Sequence, residues 1–301
     1  MGASSTVKLV ARLTFLGVCL AAGGMGSFAA GAGGAKPGAD QAVPETVALR
    51  VRYLWGYLPV VEGSIGGRAK QNILIDTGAS PTVLDAGLAR SLGLDGGPAN
   101  MELFDQTIPA AGVWIPELQV GPIRKRSVPA FVLDLSYLKH FGLSIDAIVG
   151  LDVLGEASFR LDYQARRLVI GEVAAGGIAI SADDDWPLFL LDAEVEKQRV
   201  RLLVDTGAAG LVLFRKHVGA RLRQYEKSTR ASADNLGGHV EATALRGLKV
   251  VVRGKRMYPE TALLVPDSSD MKRYDGLLPI GALGFRALSY DHNTRTLYLQ
   301  P

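Results

Sequence analysis

Two separated blocks of the 301-residue sequence recur at one constant spacing, so that Asp76 reappears as Asp205. Residues 73–79 (Ile-Leu-Ile-Asp-Thr-Gly-Ala) recur as Leu-Leu-Val-Asp-Thr-Gly-Ala, and residues 146–170 align without gaps to residues 275–299. Two blocks at a single offset are hard to obtain by chance, and the period is far longer than that of a solenoid repeat. The sequence therefore predicts an internal duplication that folds into two similar lobes.

Short apolar runs separated by glycine and proline dominate both predicted lobes. The apolar residues 73–75 and 202–204 lead directly into the two Asp-Thr-Gly segments, as buried strands that end in a loop would. One short helix per lobe is predicted just downstream, at residues 86–92 and 215–222. Many short strands and little helix predict an all-β fold of two tandem closed-barrel lobes with pseudo-twofold symmetry.

The N-terminal segment has the pattern of an export signal. Lys8 and Arg12 form a short basic start, an apolar stretch follows at residues 13–22, and residues 30–32 (Ala-Gly-Ala) fit a cleavage site between small side chains. We therefore predict a signal peptide over residues 1–32 and an exported protein, either periplasmic or secreted.

Cys19 gives this segment a second interpretation, because it ends a Leu-Gly-Val-Cys stretch that resembles a bacterial lipoprotein box; a retained membrane anchor or a disordered tail is the third. Residues 33–46 are rich in Gly, Ala and Pro and predict a flexible linker. The predicted lobes are residues 47–173 and 174–301, and they meet in a glycine-rich stretch. No later apolar run approaches transmembrane length, so no stable membrane span is expected.

Composition excludes several classes of function. The 33 Lys and Arg residues nearly balance the 30 Asp and Glu residues, whereas a nucleic-acid binder needs a basic face. A single cysteine excludes a disulfide framework. The sequence has no His-Glu-x-x-His motif and no Gly-x-Ser-x-Gly motif, so neither a metal nor another cofactor is predicted. The four histidines are scattered singly, at His140, His217, His239 and His292.

The paired Asp-Thr-Gly segments are the candidate site. A single copy would be a weak signal, since Asp and Gly are common in solvated turns. Here each aspartate follows three apolar residues, and a pseudo-twofold axis can bring Asp76 and Asp205 face to face. Two carboxylates a few Å apart share one proton, since ionising both is costly. The ionised member can take a proton from water while the protonated member polarises a carbonyl, which suits peptide hydrolysis.

The residues that follow each aspartate suit a supporting role. Thr77 and Thr206 supply hydroxyls that can bond to the opposite loop and lock the geometry. Gly78 and Gly207 permit a close backbone approach and unusual backbone dihedrals, because they have no Cβ.

Residues 74–80 (Leu-Ile-Asp-Thr-Gly-Ala-Ser) and 203–209 (Leu-Val-Asp-Thr-Gly-Ala-Ala) resemble the active-site loop of retropepsin-like (clan AA) aspartic proteases. Ile148-Val149-Gly150 is similar to that family's apolar-apolar-Gly element, whereas its second copy ends in Pro279 instead of glycine. The resemblance is closest to exported bacterial members, with two fused lobes in one chain. It also implies hairpin flaps, near residues 103–114 and 232–243.

This resemblance implies an aspartic endopeptidase that cleaves extended polypeptides, acts as a monomer with an intrachain pseudo-dimer, and needs no cofactor. Asp76 and Asp205 would be the catalytic pair. The implied loop-support residues are Thr77, Gly78, Ala79, Thr206, Gly207 and Ala208. Two alternatives remain open at this point: a peptide-binding module that retains the fold without catalysis, and a dimer in which like lobes pair to give two dyads.

Overall fold

The computed structural model describes most of the chain beyond the N-terminal segment: residues 46–103, 106–182, 187–222, 229–266 and 274–301. The predicted signal peptide, Cys19 and all but the last residue of the predicted linker lie outside these ranges. None of the helices in the described ranges is long and apolar enough to cross a membrane.

The described residues of the first half of the chain form eleven strands and three short helical segments. Its strands are β1 (Val47–Arg50), β2 (Arg52–Leu54), β3 (Leu58–Ile65), β4 (Arg68–Ile75), β5 (Thr82–Asp85), β6 (Gly97–Glu102), β7 (Thr107–Val120), β8 (Ile123–Leu133), β9 (Ala147–Val149), β10 (Phe159–Asp162) and β11 (Arg167–Ile170). Its helical segments are α1 (Ala86–Ser91), a 3-10 helix (Ser136–Phe141) and α2 (Leu151–Leu154).

The second half has a similar but not identical order, with twelve strands and one helix among its described residues. Its strands are β12 (Ile178–Ser181), β13 (Leu190–Val195), β14 (Gln198–Asp205), β15 (Leu211–Phe214), β16 (Thr229–Asn235), β17 (Gly238–Leu245), β18 (Val250–Val252), β19 (Lys255–Met257), β20 (Ala262–Val265), β21 (Gly276–Pro279), β22 (Ala287–Asp291) and β23 (Thr296–Gln300). The helix is α3 (Arg215–Leu222).

Both predicted helices are present, and the first half has two more segments that the sequence prediction did not include. Helix α1 begins where the Asp85 carboxylate accepts a hydrogen bond from the Leu88 backbone N–H at 3.0 Å. An N-cap of this kind satisfies a donor that the first helical turn leaves open. The additional segments are the 3-10 helix and α2, which is only one turn long.

The first lobe is built on an eight-stranded sheet in the order β2-β3-β4-β9-β5-β8-β7-β6. A further pairing of β3 with β7, through Ser64↔Gln119 and Ile65↔Leu118, closes this sheet into a ring. The closure depends on the unusual length of β7, which runs unbroken from the β6–β7 hairpin to the edge of β3. The first lobe is therefore a closed barrel, as expected.

The second lobe is built on a nine-stranded sheet in the order β16-β17-β20-β15-β21-β14-β13-β18-β19. The ring of described strands in this lobe is interrupted at one place, between β17 and β18. The chain that corresponds to β7 is divided into β17 and β18 by a turn in which Gly247 has φ 71°. Glycine adopts this left-handed conformation readily, so the turn interrupts the strand and β18 pairs with β13 separately.

A third sheet, in the order β1-β11-β10-β22-β23-β12, joins the two lobes. At its centre β10 and β22 are antiparallel, with Phe159 opposite Tyr290 and Leu161 opposite Leu288. These four side chains are buried, and the rings of Phe159 and Tyr290 lie 5.6 Å apart. Because this sheet contains strands from both halves, it fixes the position of one lobe relative to the other.

The two Asp-Thr-Gly segments leave the central strands of their lobes in equivalent ways. Strand β4 is parallel to β9, with Ile75 opposite Val149, and β14 is parallel to β21, with Val204 opposite Leu278. The apolar residues that end β4 and β14 are fully buried. Burying each Leu, Ile or Val side chain contributes roughly 1.5–3 kcal/mol. The aspartates are therefore held at the ends of strands in the lobe cores.

Candidate active site

The structure brings Asp76 and Asp205 together in the interior of the molecule. Both residues have an exposed fraction of 0%. The Asp76 backbone N–H donates to the carbonyl oxygen of Val149 at 3.0 Å, and Asp205 lies opposite Pro279 in the strand pairing. Each aspartate thus comes from a different lobe, and the two residues meet within one chain.

A reciprocal set of hydrogen bonds between Thr77 and Thr206 ties the two loops together. The backbone N–H of Thr77 donates to Thr206 Oγ1 at 3.0 Å, and the backbone N–H of Thr206 donates to Thr77 Oγ1 at 3.2 Å. Each hydroxyl then donates at 2.8 Å to the opposite strand, Thr77 to the Val204 carbonyl and Thr206 to the Ile75 carbonyl. All four bonds are buried, so they hold the aspartates at a fixed separation.

In each of the two carboxyl groups, only one oxygen atom accepts a hydrogen bond from the described residues. Asp76 Oδ1 accepts from the Gly78 backbone N–H at 2.8 Å, and Asp205 Oδ1 accepts from the Gly207 backbone N–H at 2.7 Å. The two Oδ2 atoms are buried and accept no hydrogen bond from the described part of the chain. A buried polar atom without a partner is costly, and such atoms occur where a site has another use for them.

Each loop glycine packs against the aspartate of the opposite loop. A Cβ on Gly207 would overlap the carboxyl group of Asp76, and a Cβ on Gly78 would lie 2.9 Å from Asp205 Cγ. Neither glycine has a positive φ, so neither adopts the left-handed conformation that glycine permits. The requirement for glycine is one of space. Gly207 is the more tightly packed of the two.

Burial raises the pKa of both carboxyl groups. The pKa of Asp76 rises to about 7, mainly through loss of hydration, although the Gly78 N–H partly opposes this by stabilising the anion. The pKa of Asp205 lies well above its usual range, because burial and the charge of Asp76 act in the same direction. The pair therefore holds a shared proton into the weakly acidic range and above.

This rise predicts that the protein loses stability with increasing pH. Because the folded-state pKa of Asp76 exceeds its unfolded value, its contribution is fully present below about pH 4 and is lost as pH rises through about 7. Replacing Asp76 by Asn should remove the Asp76 part of this dependence, while the part due to burial of Asp205 remains. It should also raise the free energy of unfolding at pH 8 by roughly 2–4 kcal/mol relative to the wild type. Thermal unfolding at pH 4, 6 and 8 measures the effect. A variant that is less stable than the wild type at pH 8 would contradict it.

The segment that packs against each Asp-Thr-Gly loop has glycine at one position in the first lobe and proline at the same position in the second. Gly150 lies against the first loop so closely that a Cβ would overlap the Ala79 carbonyl. Pro279 takes this position in the second lobe, is buried, and still pairs with Asp205. The Ile280 backbone N–H donates to the Asp205 carbonyl oxygen at 3.3 Å. The sequence departure at Pro279 therefore leaves the second loop supported.

One partly buried carboxyl group near the first loop, that of Asp152, was not identified from the sequence. Asp152 Oδ2 accepts hydrogen bonds from Thr82 through both its backbone N–H and its Oγ1, each at 2.9 Å. The sequence signal was a charged residue inside the apolar run 148–154. Alignment of the two halves concealed it, because the corresponding residue of the second half is Gly281.

Two β-hairpins occur close to the predicted flap positions. The first is formed by β6 and β7 from Gly97↔Gly112 to Glu102↔Thr107, so it begins earlier than expected. The second, formed by β16 and β17, has its tip at residues 236 and 237. The tips meet, since Gln106 Nε2 donates to the Gly237 carbonyl oxygen at 3.4 Å. Leu236 also packs against the apolar cluster of the first lobe, so the second hairpin reaches across to that lobe.

Comparisons with known proteins agree with this geometry. Residues 61–153, which include the Asp76 loop, match the sequence profile of a family described as aspartyl protease. The crystal structure of aspartic proteinase from Irpex lacteus is similar, with a TM-score of 0.52 and 12% identity over 85% of this chain and 97% of that chain. No curated protein matches the sequence. The chain therefore has an aspartic protease fold, which confirms the predicted all-β, two-lobed architecture.

The described residues include no group of three or more His, Cys, Asp or Glu side chains that could hold a metal ion.

Proposed function

We propose that the protein is an aspartic endopeptidase in which Asp76 and Asp205 form one catalytic dyad. The observation that carries this proposal is the pair of buried carboxyl groups, tied together through Thr77 and Thr206, whose Oδ2 atoms accept no hydrogen bond from the described residues. The aspartyl protease match over residues 61–153 supports it.

The chemistry follows from one proton shared between the two carboxyl groups. The ionised member takes a proton from a water molecule, and the oxygen of that water attacks the carbonyl carbon of the scissile peptide bond. The protonated member donates to the carbonyl oxygen, where negative charge develops. The tetrahedral intermediate then breaks its C–N bond, and the leaving amine receives a proton from one carboxyl group of the pair. A hydroxyl group of the intermediate returns its proton to the other carboxyl group as the product carboxylic acid forms, which restores the singly protonated pair. The pKa rise of both groups favours the singly protonated state that both steps require.

The proposed substrate is an extended polypeptide that lies between the lobes, beneath the two hairpins. A strand added in this way gains main-chain hydrogen bonds for affinity and side-chain pockets for specificity. Since the tips touch through Gln106 and Gly237, they have to separate before a chain can enter.

A library of unstructured peptides, analysed by mass spectrometry, tests the proposal. Internal cleavage by the wild type, absent from the Asp76→Asn and Asp205→Asn variants, supports an endopeptidase. Binding of peptides without cleavage at any pH between 3 and 8 would instead favour the non-catalytic peptide-binding module.

We also propose that the protein is exported and acts as a monomer. The export pattern of residues 1–32 and the interaction of both Asp loops within one chain support these two points. Mass spectrometry of the native protein is expected to find an N-terminus near Gly33, or a lipidated Cys19. An intact Met1 in a cytoplasmic fraction would contradict export, and a dimer mass by light scattering would contradict the monomer.

The pH optimum should be weakly acidic to near neutral. Ala79 and Ala208 follow the two Asp-Thr-Gly segments, so neither loop offers a hydroxyl to the outer oxygen of its aspartate. A serine there can donate to the anion and lower the pKa of the pair. We expect the basic limb of kcat/KM against pH to move to lower pH in Ala79→Ser and Ala208→Ser. A strongly acidic wild-type optimum, or a limb that moves upward, would refute this explanation.

A further inference from the structure

The Asp152 carboxyl group lies beneath the first Asp loop and makes contacts on one of its oxygens only. Asp152 Oδ2 accepts two hydrogen bonds from Thr82, one from its backbone N–H and one from its Oγ1, each at 2.9 Å. Its Oδ1 atom is buried and has no hydrogen-bond partner in the described part of the chain. Thr82 itself is completely buried. This carboxyl group therefore joins two segments of chain in the interior of the lobe.

The two segments, which contain Thr82 and Gly150, both contact or continue the loop that begins with Asp76. Thr82 begins β5, six positions after Asp76, and so it lies at the end of the loop that starts with the aspartate. Gly150 packs against the same loop, where an added Cβ would overlap the Ala79 carbonyl and lie 3.0 Å from the Asp76 carbonyl oxygen. Asp152 thus connects the far end of the loop to the segment on which the loop rests.

The described residues of the second lobe make no such connection. Leu211, Pro279 and Gly281 occupy the positions that correspond to Thr82, Gly150 and Asp152. At Gly281 an added Cβ would lie 2.8 Å from both the Tyr57 carbonyl oxygen and the Tyr163 ring, so no carboxyl group fits there. The two loops of the dyad are therefore supported by different physical means.

We propose that Asp152 is a positioning residue for the dyad, which fixes the Asp76 loop through Thr82 while the Asp205 loop relies on apolar packing. This inference rests on the proposed protease function, because the atoms that it positions are those of the proposed dyad.

Burial and hydrogen bonding act in opposite directions on the Asp152 carboxyl group. Burial raises the pKa of the Asp152 carboxyl group, and the hydrogen bonds from Thr82 partly oppose this rise. The charged groups beside it are Lys125 and Glu156; Lys125 Nζ donates at 2.6 Å both to the Asp152 carbonyl oxygen and to Glu156 Oε1. Asparagine copies the shape of a neutral aspartic acid and keeps an oxygen for Thr82, so it is the conservative replacement.

Kinetic analysis of Asp152→Ala and Asp152→Asn in the full-length protein tests the inference. Loss of the connection in Asp152→Ala should lower kcat by about 10–100-fold with KM within about threefold, since a small displacement of a reacting group has effects of this size. Asp152→Asn should recover most of the lost activity. Thr82→Val, which removes only the hydroxyl donor, should give an intermediate loss, and Thr82→Ser should restore activity.

A purely structural role would give a different pattern. Val252→Ala in the second lobe truncates a fully buried side chain away from the dyad, and it is the control for lost stability alone. We expect this variant to lower Tm while kcat and the pH profile stay unchanged. If Asp152→Ala behaves in the same way, or if Asp152→Asn fails to recover activity, the positioning role is wrong.

A readout that does not need turnover separates this inference from the proposed function. Burial is the largest cause of the raised pKa of both dyad carboxyl groups, so a loosened loop that admits solvent should lower them. Carboxyl-carbon NMR titration of labelled aspartate should show the dyad titrating at lower pH in Asp152→Ala. If the wild type shows no peptidase activity but Asp152→Ala still shows this shift, the proposed function is wrong and the positioning role is supported. An unchanged titration in an active enzyme would overturn the positioning role.

Discussion

Replacing either Asp76 or Asp205 by asparagine should lower kcat by at least about 10³-fold. The double variant should be no less active than either single variant, because residues that act as a unit lose their function together. Both carboxyl groups are buried side by side and each influences the pKa of the other. An asparagine side chain does not take up or release a proton in this pH range, so a pair with one asparagine cannot exchange the shared proton. Single-turnover kinetics on a cleaved peptide, with active protein quantified, measures the effect.

Correct folding of these variants is the necessary control. The threonine hydrogen bonds between the loops do not involve the aspartate side chains, so they should persist in both variants. Far-UV circular dichroism should be unchanged, and Tm at neutral pH should not fall. If either single variant kept more than about 1% of wild-type kcat, the aspartates would not be acting as the unit that a dyad requires.

Adding a methyl group to the loop glycines should have unequal effects. Gly207→Ala would place a Cβ in overlap with the Asp76 carboxyl group, whereas Gly78→Ala would place one 2.9 Å from Asp205 Cγ and 3.0 Å from its Oδ2. We expect Gly207→Ala to lower kcat by at least about 10²-fold, because the reacting carboxyl group must move. It should also lower the free energy of unfolding by about 1–3 kcal/mol, as overpacking does. Gly78→Ala should cost about tenfold in kcat.

The comparison between the two glycines controls for the residue change itself. Both are loop glycines without a positive φ, so backbone strain does not differ between the variants. Kinetics and urea unfolding of the two proteins, measured together, give the ranking. A larger loss for Gly78→Ala than for Gly207→Ala would contradict the packing that distinguishes them.

The sequence by itself was sufficient for the all-β architecture, for most of the strands around Asp76 and Asp205, and for the proximity of these two residues. Residues 73–75 and 202–204 are apolar and end in Asp-Thr-Gly, so their burial follows from local pattern alone. The shared offset of the two copies predicted that Asp76 and Asp205 would meet. These inferences succeeded because they depend on residue type and spacing, which a sequence states directly.

The differences between the two lobes were decided by tertiary structure. The loops have the same Asp-Thr-Gly sequence, yet Gly207 is packed more tightly than Gly78. The first loop is connected to the partly buried carboxyl group of Asp152, whereas the corresponding residue of the second half is Gly281. Closure of the first barrel depends on Ile65 meeting Leu118, a contact between residues far apart in the chain. Such contacts depend on how neighbouring segments pack in three dimensions. The identical Asp-Thr-Gly sequences cannot specify these contacts, because the residues that surround each loop differ between the two lobes.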